Sequence, residues 1–364
     1  MHNKYMQLAL QQARKGCMST TPNPRVGCVV VKNEQVIATG FHQVAGSAHA
    51  EVNALRGDLA QYEGSTIYVT LEPCSHFGRT PPCCNLIIRA KPSKVVVAML
   101  DPNPQVAGKG IKAIQKAGIA VEVGCCEDEA LQLNEGYIRR MQGLPPRIVA
   151  KVAMSLDGKM AIKGEKKQCL INEKSQHDAM RLRAESCAVV TDIDTMLADD
   201  PLLNVQIEAE HIRQPDIIIL DPKLSLPLDS QIIKQHCDRK VFVLTTSLCA
   251  QPEKEKRLAD LDVTVVNVAH YEDKVSLSEV KLWLSDTDYH NILVESGPAL
   301  ISEFIKSNML NEMVIYQAPI LLGYDAIDLF SGKITALSAA PTLQLDKTEN
   351  IESDIKLIYK FNIE

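Results

Sequence analysis

The sequence predicts an α/β protein built as two domains in tandem, and three features carry that expectation. The chain has 364 residues, beyond the size at which a single hydrophobic core usually keeps growing. Strand-sized apolar runs such as Val95–Leu100 and Ile217–Leu220 alternate with helical stretches, the pattern of layered α/β architecture. Between two such series stands Gln142-Gly143-Leu144-Pro145-Pro146, the glycine and proline punctuation of a domain boundary. Domains 1–145 and 146–364 are therefore expected.

In chain order, residues 4–14 read as a helix with Tyr5, Leu8, Ala9 and Ala13 on one face. Strands 26–31 and 36–39 flank Lys32-Asn33-Glu34-Gln35, which can turn the chain as a hairpin. Then follow a short helix at 48–55, a strand at 66–71, a helix at 84–90, a strand at 94–99, a helix at 108–117 and a strand at 119–123, before a polar helix containing Tyr137, Arg139 and Arg140. In the second half strands are expected at 147–154, 188–191, 216–220, 240–245, 262–268, 290–294 and 313–317, with helices between several of them. No internal repeat is visible, so the second half reads as one further α/β domain.

Composition narrows the function. Hydrophobic residues make up 46% and charged ones 23%, ordinary globular usage, and the apolar runs are too short to span a bilayer. The amino terminus shows no export signal, so a cytoplasmic address is expected. Eleven cysteines, an odd number in a long chain without such a signal, favour reduced thiols and a metal site over a disulfide framework. A formal net charge of −6 argues against a protein that binds nucleic acid by neutralising phosphates. A small-molecule substrate is expected, with neither nucleic acid nor membrane as partner.

The strongest chemical signal is His49-Ala50-Glu51 followed by Glu72-Pro73-Cys74 and Pro81-Pro82-Cys83. One imidazole and two thiolates suit zinc, and three protein ligands leave a fourth position for a water whose pKa the metal lowers. Glu51, two residues from the histidine, suits proton transfer from the water to a leaving amine rather than ligation. Zinc nucleobase deaminases use this H-x-E and P-C-x-x-C arrangement, although here eight residues, rather than two, separate Cys74 from Cys83. A structural site closed by Cys84 as fourth ligand is the alternative.

Further residues extend the pattern: Thr21-Pro22-Asn23-Pro24-Arg25-Val26-Gly27, Gly40-Phe41-His42, the whole of Leu71–Cys84, and Asp101-Pro102-Asn103-Pro104-Gln105-Val106-Ala107-Gly108. With them the first half closely resembles the bacterial bifunctional deaminase/reductase family of riboflavin biosynthesis, whose amino-terminal domain has a cytidine-deaminase-like fold; the long cysteine spacing is that family's own. The resemblance implies zinc-dependent hydrolytic deamination of a diaminopyrimidinone ribosylamine phosphate. It also implies Asn23, His42, His76 and Arg79 as substrate contacts.

After Pro146 no Gly-x-Gly-x-x-Gly or Walker sequence occurs, so the usual nucleotide fingerprints give no lead. Three clusters follow expected strands: Ser155-Leu156-Asp157-Gly158-Lys159, Thr195–Pro201, and Glu295-Ser296-Gly297-Pro298-Ala299-Leu300. In the last, glycine and proline open a helix whose free N–H groups could receive a phosphate, as could those of any strand-to-helix turn. In order and spacing the clusters resemble the reductase half of the same family, with a fold similar to dihydrofolate reductase. The resemblance implies NADPH-dependent reduction of the ribosyl side chain to ribityl. It places Ala153, Leu170, Thr195, Asp199, Gly297, Pro298, Ala299 and Leu300 at the cofactor, and Gln168, Arg183, Leu203, Gln206 and Glu295 at the substrate. Lys151 and Asp157 also match family positions, and a homo-oligomer is expected. Departures lie in this half, at Gln168–Asn172, at Gln206 where relatives carry arginine, and at Pro222 where they carry serine. A deaminase with a degenerate, binding-only second domain is thus the alternative function.

Overall fold

A computed structural model describes residues 2–77, 81–104, 106–165, 169–208, 211–236, 239–247 and 251–361. It divides into two compact units, Met1–Leu144 and Pro145–Glu364. Among the described residues no helix is long and apolar enough to cross a membrane.

The first unit runs α1 (His2–Arg14), β1 (Gly27–Lys32), β2 (Gln35–Phe41), α2 (Ala50–Ala54), β3 (Thr66–Val69), α3 (Cys83–Ala90), β4 (Lys94–Val97), α4 (Lys109–Lys116), β5 (Ala120–Val123), α5 (Glu127–Leu133) and α6 (Glu135–Met141). Its five strands order as β2-β1-β3-β4-β5. β1 is antiparallel to both neighbours, whereas β3, β4 and β5 are parallel. Alternation along the strands splits the core in two. Cys28, Val30, Ile67, Val69, Val95 and Val97 pack with Ala50, Ala54, Ile87 and Ile114 of α2, α3 and α4. Val29, Val31, Tyr68 and Val96 pack with α1 and with Ala130 of α5 on the other face. The buried stripe of α1 is Tyr5, Met6, Ala9, Leu10 and Ala13, broader than the expected face, because Met6 and Leu10 turn inward while Leu8 is half-buried. Gly40 lets α2 lie directly on β2: a β-carbon there would stand 2.5 Å from the Ala50 carbonyl oxygen. That contact brings the first turn of α2, with Glu51, into the interior.

The second unit runs β6 (Arg147–Ser155), β7 (Lys159–Ala161), α7 (Glu173–Ala184), β8 (Ala188–Asp192), α8 (Ile193–Asp199), β9 (Asp216–Leu220), α9 (Gln231–Lys234), β10 (Val241–Thr246), α10 (Pro252–Ala259), β11 (Val263–Val268), β12 (His270–Tyr271), β13 (Lys274–Val275), α11 (Leu277–Ser285), β14 (Asn291–Val294), α12 (Pro298–Lys306), β15 (Glu312–Ala318), β16 (Ile327–Asp328), β17 (Leu343–Ile351) and β18 (Asp354–Phe361). Nine strands form one sheet in the order β11-β10-β9-β8-β14-β6-β15-β18-β17. The first seven are parallel, and β18 and β17 close the edge antiparallel. Every residue of β8, β9 and β14 is buried, as expected of parallel strands covered on both faces, with apolar cores on either side. The carboxyl ends of β6, β8 and β14 therefore meet at one rim, where open α/β sheets bind ligands.

Candidate functional sites

In the first unit His49 caps the amino end of α2, Cys74 follows β3, and Cys83 opens α3. Cys74 Sγ lies 3.6 Å and Cys83 Sγ 3.3 Å from His49 Nδ1, and the three donors all lie within 4.8 Å of one another. Tetrahedral zinc with bonds of about 2.0–2.3 Å sets its ligand atoms roughly 3.6 Å apart, so the donor set fits the metal in both chemistry and spacing. A hydrogen bond from Cys83, with help from His49, holds the Cys74 thiol well below its ordinary range, at about 4, despite its burial. The same hydrogen bond with Cys74, together with burial, raises Cys83, which retains the proton they share. Cys84, the candidate fourth ligand, is not in the cluster. Its side chain packs in the core beneath α3 and points its thiol at Asn85 Oδ1.

Glu51 is 3% exposed, and burial pushes its carboxyl up to about 7. It stands in the first turn of α2, on the metal side of the unit but outside the donor cluster. His42 Nδ1 donates to the Ala48 carbonyl at 3.1 Å, which leaves Nε2 to accept from Asn23 Nδ2 at 2.9 Å. Burial lowers the His42 pKa, consistent with a neutral ring that fixes the Asn23 amide. The His42 and His49 rings meet edge to face, 5.7 Å apart, so Asn23 and His42 border the cluster. His76 is exposed on the loop between the cysteines. Arg79 lies outside the described residues.

In the second unit Glu295, at the end of β14, receives Arg183 of α7 in a two-pronged ion pair, Nε and Nη2 each 2.9 Å from a carboxylate oxygen. Lys151 of β6 approaches to 3.2 Å. Burial would raise the Glu295 pKa; Lys151 and Arg183 overcome it and hold the carboxylate at about 2. Thr195 Oγ1 accepts the Gly297 N–H at 3.2 Å and lies 3.3 Å from Ser296 Oγ, joining the first turns of α8 and α12. A β-carbon on Gly297 would meet nothing within 4 Å, leaving the amino end of α12 open. Beside it is a cleft of about 730 Å³, lined by Asp194, Leu197, Ala299 and Leu300 and also by Tyr271 and Lys274. Its size and the adjoining N–H groups fit a dinucleotide.

Of the other expected contacts, Ala153 and Leu170 are half-buried against the core on the opposite face and do not line the cleft. Leu203 packs its side chain in that core and offers its carbonyl to Arg239. Gln206 is exposed, and Gln168 is outside the described residues. Asp157 takes N–H groups of Leu322 and Gly323 at 3.1 and 2.8 Å, tying a distant loop to the end of β6. Sequence reasoning missed the β12–β13 hairpin that supplies Tyr271 and Lys274. No local signal marks it, since two-residue strands have no periodicity.

Residues 1–99 match the family described as cytidine and deoxycytidylate deaminase zinc-binding region, and residues 146–357 match the RibD C-terminal domain. The chain is 36% identical to the riboflavin biosynthesis protein RibD of Escherichia coli strain K12, with 97% of each chain covered. It is 36% identical to that of Aquifex aeolicus, covering 98% of this chain and 97% of the relative. Among solved structures, Acinetobacter baumannii RibD superposes with a TM-score of 0.88 at 38% identity, covering 100% of this chain and 99% of that one. A Thermotoga maritima diaminohydroxyphosphoribosylaminopyrimidine deaminase/5-amino-6-(5-phosphoribosylamino)uracil reductase gives 0.85 at 30% identity, with 99% of each covered.

Proposed function

The chain belongs to the RibD family of riboflavin-biosynthesis proteins, bifunctional zinc-dependent deaminases and NADPH-dependent reductases, and from that premise we propose how its own residues divide the work. Residues 1–145 deaminate and residues 146–364 reduce. His49, Cys74 and Cys83 hold zinc, and Asn23, His42, His76 and Arg79 bind the pyrimidine. The observation that carries this is the three-donor cluster with a buried carboxylate two residues from its histidine.

Zinc, when bound, supplies the acidity that makes water a nucleophile at neutral pH. In the deamination the water oxygen bonds to the ring carbon that bears the 2-amino group, and the carbon–nitrogen bond breaks to release ammonia. Glu51 takes a proton from the water and delivers it to the departing nitrogen, a task suited to a carboxyl that burial has raised towards neutrality. His42 holds Asn23 so that its amide meets a base edge in one orientation.

NADPH, when bound, supplies the hydride that converts the opened ribosyl group to ribityl. Thr195, Asp199 and Gly297–Leu300 are assigned to it at the cleft; Ala153 and Leu170, which do not line the cleft, are assigned to it by the family resemblance alone. Arg183 and Lys151 keep Glu295 ionised, so its oxygens can accept hydrogen bonds from ribosyl hydroxyls. Gln168, Leu203 and Gln206 are assigned to the substrate by the family resemblance alone, Leu203 having its side chain turned into the core. The protein acts in the cytoplasm as a homo-oligomer, on a small molecule and without nucleic acid or membrane. The test is a coupled assay with zinc and NADPH, measuring ammonia release from the pyrimidine ribosylamine phosphate, cytidine and RNA, and NADPH oxidation after the first. Ammonia from cytidine or RNA alone would refute the assignment, and deamination without NADPH oxidation would favour the degenerate second domain.

A further inference from the structure

The segment Glu72-Pro73-Cys74 contributes a proposed zinc ligand, but its first residue has no part in that chemistry. Glu72 is 4% exposed, and both its carboxylate oxygens are spent on backbone N–H groups of a distant stretch. Oε2 accepts from Gly108 at 2.8 Å and from Asp101 at 3.2 Å; Oε1 accepts from Gly110 at 2.9 Å and from Ile111 at 3.4 Å. Those groups are the amino end of α4 and the turn leading into it. The N-cap of α4 is Gly108, which makes no side-chain cap, so a carboxylate from elsewhere in the chain satisfies donors that a helix start otherwise leaves to water.

The contact extends to the backbone next to the ligand. A β-carbon on Gly110 would stand 2.0 Å from the Pro73 carbonyl oxygen, so only glycine lets the first turn of α4 lie this close to Pro73. The Glu72 N–H is bonded to the Met99 carbonyl at 3.0 Å, and the Cys74 carbonyl accepts from Cys84 N–H at 3.1 Å. Cys74 is thus fixed on both sides, with one proline of restricted φ between it and Glu72. Its Sγ also receives the Cys83 N–H at 3.3 Å.

We propose that Glu72 is a positioning residue for the metal centre: by capping α4 from elsewhere in the chain it locks the Glu72-Pro73-Cys74 segment onto that helix and sets where the Cys74 sulfur stands. The inference rests on the reading of Cys74 as a zinc ligand. Outer partners that orient a ligand typically govern metal affinity by about ten- to hundredfold. Glu72→Gln retains the shape but keeps only one accepting oxygen, and so turns an NH2 group towards two N–H donors.

The test uses the full chain and measures zinc affinity by chelator competition, together with the visible spectrum of the cobalt-loaded protein, whose thiolate and ligand-field bands report geometry at the site. Glu72→Gln should weaken zinc binding about tenfold and shift the cobalt bands. Gly118→Ala is the control. Gly118 ends α4 at φ +85° with nothing within 4 Å, so alanine strains the far end of the helix without touching Glu72. It should lower the melting temperature and leave zinc affinity and spectrum unchanged. Should Glu72→Gln not fold, Gly110→Ala takes its place, since its β-carbon would push the Pro73 carbonyl oxygen at 2.0 Å and crowd Glu72 Oε1 at 3.3 Å, disturbing the same contact from the helix side. Unchanged affinity and spectrum in Glu72→Gln overturn the proposal, as does an equal effect from Gly118→Ala. Cys74→Ser separates the two readings: if it keeps its zinc, the ligand assignment itself is wrong.

Discussion

Replacing Arg183 with methionine tests what holds the reductase site together. Glu295 is 7% exposed and is held at about 2 against an ordinary 4.5. At about 1.4 kcal/mol per pH unit, that difference makes the ionised carboxylate worth roughly 3 kcal/mol to the folded state. Because the folded value lies below the unfolded one, this stability is fully present above about pH 4.5 and is lost as the pH falls towards 2. Removing Arg183 leaves Lys151 alone against a buried charge, and breaking a buried pair from one side costs about 3–5 kcal/mol. Arg183→Met should therefore lose roughly 3 kcal/mol at pH 7, and the deficit should narrow on acidification, since protonating Glu295 now relieves the stranded charge. Adding Glu295→Gln should recover most of the loss. Urea unfolding followed by tryptophan fluorescence isolates the event, because the chain has one tryptophan, Trp283 on α11, packed edge to face 5.2 Å from Phe242. A deficit below about 1 kcal/mol at pH 7, or one that widens in acid, would refute the reasoning.

Glu51→Gln should abolish ammonia release while metal analysis still finds near-stoichiometric zinc; loss of both would make Glu51 a ligand. Cys83→Ser should lose zinc and Cys84→Ser should keep it, which mass spectrometry under native conditions decides. Thr195→Val strands the Gly297 N–H, a loss of about 1–3 kcal/mol, so NADPH should bind on the order of tenfold more weakly by fluorescence titration, with the deaminase unaffected. Restoring a cation with Gln206→Arg should lower the reductase KM for the phosphorylated substrate about tenfold or more, and an unchanged KM would mean that this exposed side chain never meets the phosphate.

Much of the architecture is legible in one dimension because its causes are local. The apolar runs of β8, β9 and β14 are continuous since parallel strands are covered on both faces, and the first helix is legible as residues 4–14, although its buried stripe takes in Met6 and Leu10 rather than Leu8. The edge strand β17, Leu343-Gln-Leu-Asp-Lys-Thr-Glu-Asn-Ile351, escaped notice because most of it faces solvent and nothing requires its polar residues to alternate. Its partner β18 went unread with it.

The sequence alone determined the chemistry available at the metal centre: one imidazole, two thiols and a carboxyl at spacings that suit zinc and proton transfer, since residue type fixes ligand softness and acidity. It named Cys83 as the second thiol but could not say whether its neighbour Cys84 closes the site as a fourth ligand. Tertiary structure decided that, because successive residues at the start of α3 point in directions about 100° apart, one towards His49 and the other into the core. Nor could it show that Glu72 spends its oxygens on α4, that Lys151 and Arg183 meet at Glu295, or that a hairpin beginning at His270 walls the cleft beside Ala299. Those groups lie far apart along the chain, and only the packing of the sheet and its helices brings them within hydrogen-bond reach.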